Sequence, residues 1–309
     1  MKFIRSVPMA IGGLSLALAA LGNLLLPLPH GNVVRYICGV LSLAILVIFA
    51  LKLFLDSPHA REELKIPLPA SVLPTSTMAL MLLATYAGPY MADVAVSVWY
   101  AAAITHVCLM VFFFRRFIVG FKLGSVFPSW FITFVGIVVV SVTAPAMGAV
   151  AIGQTAFYVG FVLYFVALAL VVCRMNKVRI FPEPARPTVA IFTAPMSLLT
   201  VGYFSSFVQQ GQMNEALVYA MLAISAASYV YVTLMMFSLL RIKFYPTYAA
   251  FTFPYVISAT AFRLGAGFLA DRGFEFFVVV AQAAQWIAVG VVVFVLLHYV
   301  RYFVFWLKF

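Results

Sequence analysis

Five prolines, Pro8, Pro74, Pro128, Pro195 and Pro254, each stand near the start of an apolar stretch whose other polar atoms are mostly hydroxyls. Hydroxyls and proline-freed carbonyls solvate ions; they do not break covalent bonds. A proline inside a helix removes one N–H donor and displaces the carbonyl four residues earlier, so Pro254 is expected to free Ala250 and Pro195 to free Ile191. Away from bulk water such carbonyls need partners, either cavity water or the hydroxyls of Thr193, Ser197, Thr252 and Ser258. Pro8 and Pro128 escape this argument if they occupy a first helical turn, where proline costs little.

Bond-making chemistry has no support. HExxH, G-x-S-x-G and P-loop patterns are absent, as are paired carboxylates within apolar stretches, so neither a metal site nor a nucleophile with its base can be assembled. An enzyme, a cofactor and a bound metal are therefore not expected. Cys38, Cys108 and Cys173 lie in apolar stretches at no metal-like spacing and read as buried small hydrophobes. His106 is a lone histidine among apolar neighbours and reads as a hydrogen-bonded packing residue.

The elements that carry these residues follow from composition. With 66% hydrophobic and 9% charged residues in 309 and a mean hydropathy of +1.13, the chain cannot be a water-soluble globule, which carries about a quarter charged residues. Apolar runs near the roughly 20 residues that a helix needs to cross hydrocarbon recur throughout. Ten spans are expected, at 7–26, 33–55, 70–87, 91–114, 127–146, 149–173, 187–207, 213–240, 247–269 and 274–300. Their connections are short, so 1–309 reads as a single transmembrane domain. The first span is read as a mature helix rather than a signal peptide, because it is long and a second span follows at once.

The net charge of +11 reports orientation. Sixteen of the nineteen Lys and Arg fall at the termini or after even-numbered spans: Lys2, Arg5, Lys52, Arg61, Lys65, Arg115, Arg116, Lys122, Arg174, Lys177, Arg179, Arg186, Arg241, Lys243, Arg301 and Lys308. Arg35, Arg263 and Arg272 fall on the other side. The positive-inside rule puts both termini in the cytoplasm, which requires an even number of crossings. The basic residues form no groove with interleaved aromatics, so no nucleic-acid partner is expected.

The spans repeat in pairs. Odd-numbered spans begin SVPMAIGG, SVLPTSTM, SVFPSWFI, FTAPMSLL and FTFPYVIS; even-numbered ones lack such a proline and end in aromatic and basic residues. The unit is a hairpin of two helices used five times. Five copies do not divide into the two halves of an inverted-repeat carrier. The fold class expected is an all-α polytopic membrane protein, ten transmembrane helices forming five hairpins in a quasi-five-fold ring, with the odd helices lining a central pore. Small residues also permit tight packing, so a bundle without a pore accounts for the same composition.

The odd spans contain no Asp, Glu, His or Lys, and Arg263 is their only charge. A proton-coupled carrier needs groups that take up and release a proton. A passage lined by hydroxyls and apolar surface binds ions weakly, as a channel requires. The lack of acidic side chains, with a basic belt on one side, favours anions. Alignment on the prolines brings Leu16, Leu82, Gly136, Tyr203 and Phe262 to one step. The neighbouring Ser15, Met81, Val135, Gly202 and Ala261, with Ser258 one turn before Phe262, complete the pore-lining candidates. Phe262 shares a helical face with Phe251 and Ser258, about 12 Å beyond Pro254. Spacing leaves it either packed between helices or reaching across a lumen. Arg263 either snorkels to the outer interface or attracts anions at the mouth.

Ten helices in five proline-bearing hairpins, the SATAF sequence at 258–262 and the shortage of loops resemble the tellurite-resistance/dicarboxylate transporter family. The resemblance covers essentially the whole chain, and SATAF is its most specific element. It implies a homotrimer of independent pores in the lipid bilayer, each surrounded by five inner helices, with a phenylalanine of the ninth helix, matched by Phe262, as the gate. It implies a bacterial or archaeal plasma-membrane location and small anions such as chloride and nitrate as substrates. The alternative substrates are C4-dicarboxylates such as malate, or sulfite or tellurite moved by a carrier. The long regulatory tails of plant members have no counterpart here.

Overall fold

The computed structural model describes residues 2–178 and 181–308; Arg179 and the side chains of Lys2 and Lys308, all counted in the basic belt, lie outside what it describes. Among the described residues the structure is helical throughout, without a strand. Eight helical segments are long and apolar enough to cross a membrane. The chain is a polytopic helical membrane protein.

A short α1 (Lys2–Ser6) leads into α2 (Ile11–Leu25), which a turn joins to α3 (Gly31–Leu55). Then come α4 (Ser57–Glu63), α5 (Pro67–Val72) and α6 (Thr75–Ala87), followed by α7 (Ala92–Phe113), which runs into a π-helical turn at Phe114–Ile118. After α8 (Trp130–Val135) and α9 (Val138–Thr143) comes α10 (Val150–Val178). A 3-10 segment, Glu183–Thr193, feeds α11 (Ala194–Ser206), and α12 (Glu215–Leu239) begins behind Asn214, whose side chain accepts from the Leu217 N–H at 3.1 Å. A second 3-10 segment, Pro246–Phe251, feeds α13 (Thr252–Ala270), and α14 (Phe276–Lys308) completes the described chain.

Two of the ten expected spans fall short of that length. Span 7–26 is the 15-residue α2, and span 127–146 is broken into α8, α9 and a 3-10 turn at Ala144–Met147. The break between α8 and α9 falls at Gly136, where α6 approaches closely: a Cβ there would meet the Met78 sulfur at 2.8 Å. Irregular backbone is tolerated at membrane depth when protein surrounds it, and the residues on both sides of this bend are buried.

Burial sorts the helices into two sets. Most of Glu183–Gln210 is buried, whereas Ala92–Ile118 is mostly exposed or half-buried and presents Ile104, Val107 and Val111 outward. α2 packs against α3, α6 and α13; α9 packs against α6, α10 and α11; α11 packs against α13 as well. These proline-led helices therefore form a contiguous interior, with α3, α7, α10, α12 and α14 outside.

Hydroxyls stitch the interior. Thr193 Oγ1 donates to the Pro254 carbonyl at 3.0 Å, and Thr252 Oγ1 to the Ala249 carbonyl at 2.7 Å. Polar contacts also sort the ends. Lys52 Nζ is fully buried and binds the Val7 carbonyl at 2.5 Å and both Glu63 oxygens at 2.7 and 2.8 Å, while Tyr302 reaches the Ser6 carbonyl at 3.1 Å. Arg35 binds Asn23 and the Thr85 carbonyl, and Arg272 pairs with Glu215, at the opposite end.

Candidate functional site

All five proline-led stretches contribute to one cavity. Ala10, Gly13 and Leu16 come from α2 and its approach, Val72, Thr75 and Met78 from α5 and α6, and Phe131, Ile132, Val135 and Gly136 from α8 and its end. Thr188, Ile191, Pro195 and Leu198 come from the 3-10 segment and α11, and Thr247, Ala249, Ala250, Phe253 and Pro254 from the second 3-10 segment and α13. The cavity has about 50 Å³ of room for the centres of water-sized spheres, enough for a few waters or one small anion. Most of its lining belongs to the first turns of the inner helices and their approach segments, at the end that also holds Ser6 and Tyr302.

No charged side chain lines this space. Its three hydroxyls are already committed: Thr75 donates to the Val72 carbonyl at 2.7 Å, Thr188 to the Ala185 carbonyl at 2.6 Å, and Thr247 to the Pro184 carbonyl. Each hydroxyl has one proton, so none is left for an ion. An ion here meets apolar surface and dipoles, which bind weakly.

Two aromatic rings reach the cavity. Phe131 is held by Phe192 (centroids 5.6 Å) and Tyr164 (6.1 Å). Phe253 has no ring partner among the described residues and is 7% exposed.

A helical membrane protein with a neutral, weakly binding internal cavity has the makings of an ion pathway. The voltage-dependent anion channel family model matches residues 4–300. The chain belongs to that family. No curated protein matches it. The match agrees with the resemblance carried by the hairpins and SATAF, and it makes this chain a member of a family of anion channels and transporters embedded in the bilayer.

Measured against the expected lining of this channel-family fold, Leu16, Val135 and Gly136 lie in the cavity. Ser15 instead exchanges hydrogen bonds with Ser42 of α3 at 2.7–3.0 Å. Gly202 lies against α9, where a Cβ would meet Val138 at 2.7 Å and Ser141 at 3.2 Å. Tyr203 stacks on Phe207 with centroids 5.2 Å apart, and its hydroxyl accepts from the Asn214 N–H at 2.8 Å. Ser258 faces α11, bonded to Thr193 at 2.9 Å and Ser197 at 3.0 Å. Met81, Leu82 and Ala261 are buried outside the cavity lining, and Met78 takes the place expected for Met81.

The Phe262 ring lies in a cleft between α12, α13 and α14 and meets Tyr229 edge-on at 5.2 Å. The five prolines are not equivalent in helix phase, so residues at one step from them do not share one environment. Pro8 and Pro128 precede their helices, Pro74 caps α6, and Pro195 and Pro254 are the second and third residues of α11 and α13. None interrupts an α-helix interior, so the expected kinks are 3-10-to-α junctions or helix starts, where the missing N–H has no intrahelical partner to lose. The Ile191 carbonyl is not freed either; it accepts the Ala194 N–H.

Arg263 donates to the Leu24 carbonyl in the last turn of α2, where unpaired carbonyls collect. His106 is fully buried and bonds Thr77 through Nδ1 at 2.8 Å. Cys38 is buried as expected, but Cys108 is exposed on the outer face of α7 and Cys173 is half-buried. Arg186 and Lys243 are near Thr188 and Thr247 in sequence, and a hydrogen bond with Tyr245 raises the pKa of Lys243.

Phe253, which lines the cavity, is not among the lining residues expected from the sequence. Its signal was present: the fourth and fifth repeats open FTAP and FTFP, and the one difference between them is Ala194 against Phe253.

Proposed function

We propose that this member of the family is a passive channel for small monovalent anions, chloride and nitrate among them, and that the ring of Phe253 occludes its pathway. The observation that carries the reading is a cavity with contributions from all five proline-led stretches and no charge in its wall. The packing order α2, α6, α9, α11, α13 and back to α2 supports five hairpins closed in a ring, with ten crossings in one transmembrane domain. α2 and α8–α9 complete the count, their shorter helices sheltered inside the ring.

A neutral wall lets ions leave as readily as they enter, which a channel needs. The absence of carboxylates from the wall disfavours cations, and the basic residues gathered at the cavity end raise the local concentration of anions. With those residues facing the cytoplasm, both termini lie inside a bacterial or archaeal plasma membrane. A homotrimer in which each protomer holds its own pathway completes the proposal and rests on the family resemblance.

Current–voltage curves of the purified protein in planar bilayers test the function. Anion-selective currents that grow linearly with chloride or nitrate concentration support the channel. Saturable malate uptake without such currents would replace it with a dicarboxylate carrier.

A further inference from the structure

The outward face of α7 carries two adjacent rows four residues apart in step: Val107, Val111 and Arg115, and Cys108, Phe112 and Arg116. These six residues line an open groove along the helix. Its apolar part is exposed, Val107 and Val111 at 47% and Phe112 at 41%. The groove runs about 12 Å from Val107 to Arg115 and ends at the π-helical turn Phe114–Ile118, which holds both arginines.

Basic residues at this end of the molecule are unevenly paired. There, Lys52 pairs with Glu63, Arg5 with Asp56 and Lys65 with Glu62. Arg115 and Arg116 are exposed, and no carboxylate pairs with either among the described residues. No Asp or Glu occurs anywhere from 94 to 182, and Lys122 and Lys177, both exposed, add charge of the same sign. Exposed Phe114, Val119 and Phe121 flank the arginines and place them where hydrocarbon gives way to headgroups.

We infer that this groove is a binding site for an anionic phospholipid: the phosphate sits between Arg115 and Arg116, and an acyl chain lies along Val107, Cys108, Val111 and Phe112. Two guanidiniums without protein counter-ions supply charge-assisted donors for a phosphodiester. The apolar rows select an amphiphile over a free phosphate ion. The site is separate from the cavity and does not depend on how ions permeate.

Native mass spectrometry of the purified full-length protein, exchanged into mixed micelles of phosphatidylglycerol and phosphatidylcholine, tests the inference. The wild type should retain phosphatidylglycerol over phosphatidylcholine by about tenfold or more, and Arg115→Gln/Arg116→Gln should abolish that preference. Lys243→Gln, which removes a basic residue elsewhere at the same end, should leave it intact. Val111→Trp keeps both arginines but fills the groove, and should lower retention even if the double variant fails to fold. Equal retention of the two lipids by the wild type would overturn the assignment. So would unchanged retention of phosphatidylglycerol in Val111→Trp, displacement of the lipid by inorganic phosphate alone, or a change of oligomeric state without a change in lipid binding.

Discussion

Phe253 and Phe262 stand nine residues apart on α13 and point in opposite directions, Phe253 into the cavity and Phe262 against Tyr229 at 5.2 Å. Nine residues are two and a half helical turns, so the two rings are half a rotation apart. One helix therefore carries one aromatic that lines the cavity and, close by, another that lies in the cleft beside α12 and α14.

If the cavity is the pathway, adding bulk to its wall narrows it. Ala250→Phe, made together with Phe253→Ala, should reduce anion current several-fold relative to Phe253→Ala alone, because both positions line the same space. Equal single-channel conductance in planar bilayers would place the pathway elsewhere.

Helix proximity makes a separate demand at Gly202. A valine there must displace Val138 and Ser141, whose atoms would come within 2.7 and 3.2 Å of the new Cβ. Overpacking of this kind costs about 1–3 kcal/mol, and apparent Tm in detergent should fall accordingly. An unchanged Tm would mean that α9 and α11 are not in close contact.

Ser258 separates a packing role from a lining role. Its hydroxyl bonds Thr193 and Ser197, each of which has a second partner. Ser258→Ala should therefore cost only about 0.5–1.5 kcal/mol and leave ion selectivity untouched. Altered chloride-to-nitrate permeability would show that Ser258 faces the ion.

The hydroxyls of Thr75, Thr188 and Thr247 are spent on backbone carbonyls, so an ion entering this cavity recovers little of its hydration. Weakly hydrated anions should lose least. Reversal potentials under bi-ionic conditions are expected to show nitrate more permeant than chloride and fluoride least permeant. The reverse order would require unspent donors in the wall.

Much of the fold was legible in the residues. The five outer helices are apolar over membrane length and carry no proline like those that lead the inner stretches, and their structural bounds fall close to those expected: Gly31–Leu55 against 33–55, and Glu215–Leu239 against 213–240. The inner helices were legible as a set and not in register. Pro74, Pro195 and Pro254 run directly into α-helix, whereas Pro8 and Pro128 lie in turns just before their helices, so eight residues from the proline do not turn the same angle in every repeat. Hence Leu16 and Gly136 fell at the cavity whereas Tyr203 and Phe262, at the same step from their prolines, fell outside it. The close approach of Met78 to Gly136 comes from another helix, a contact that spacing along one chain segment does not reveal.

Paired recordings of Phe253→Ala and Phe262→Ala test the central claim most directly. Purified wild type and both variants, each verified as folded by its elution profile, are recorded in planar bilayers with symmetric chloride. Phe253→Ala should raise the anion current at least about tenfold, with Phe262→Ala close to wild type. A large current in Phe262→Ala with none gained in Phe253→Ala would contradict the account and return the gate to the face of α13 that meets Tyr229.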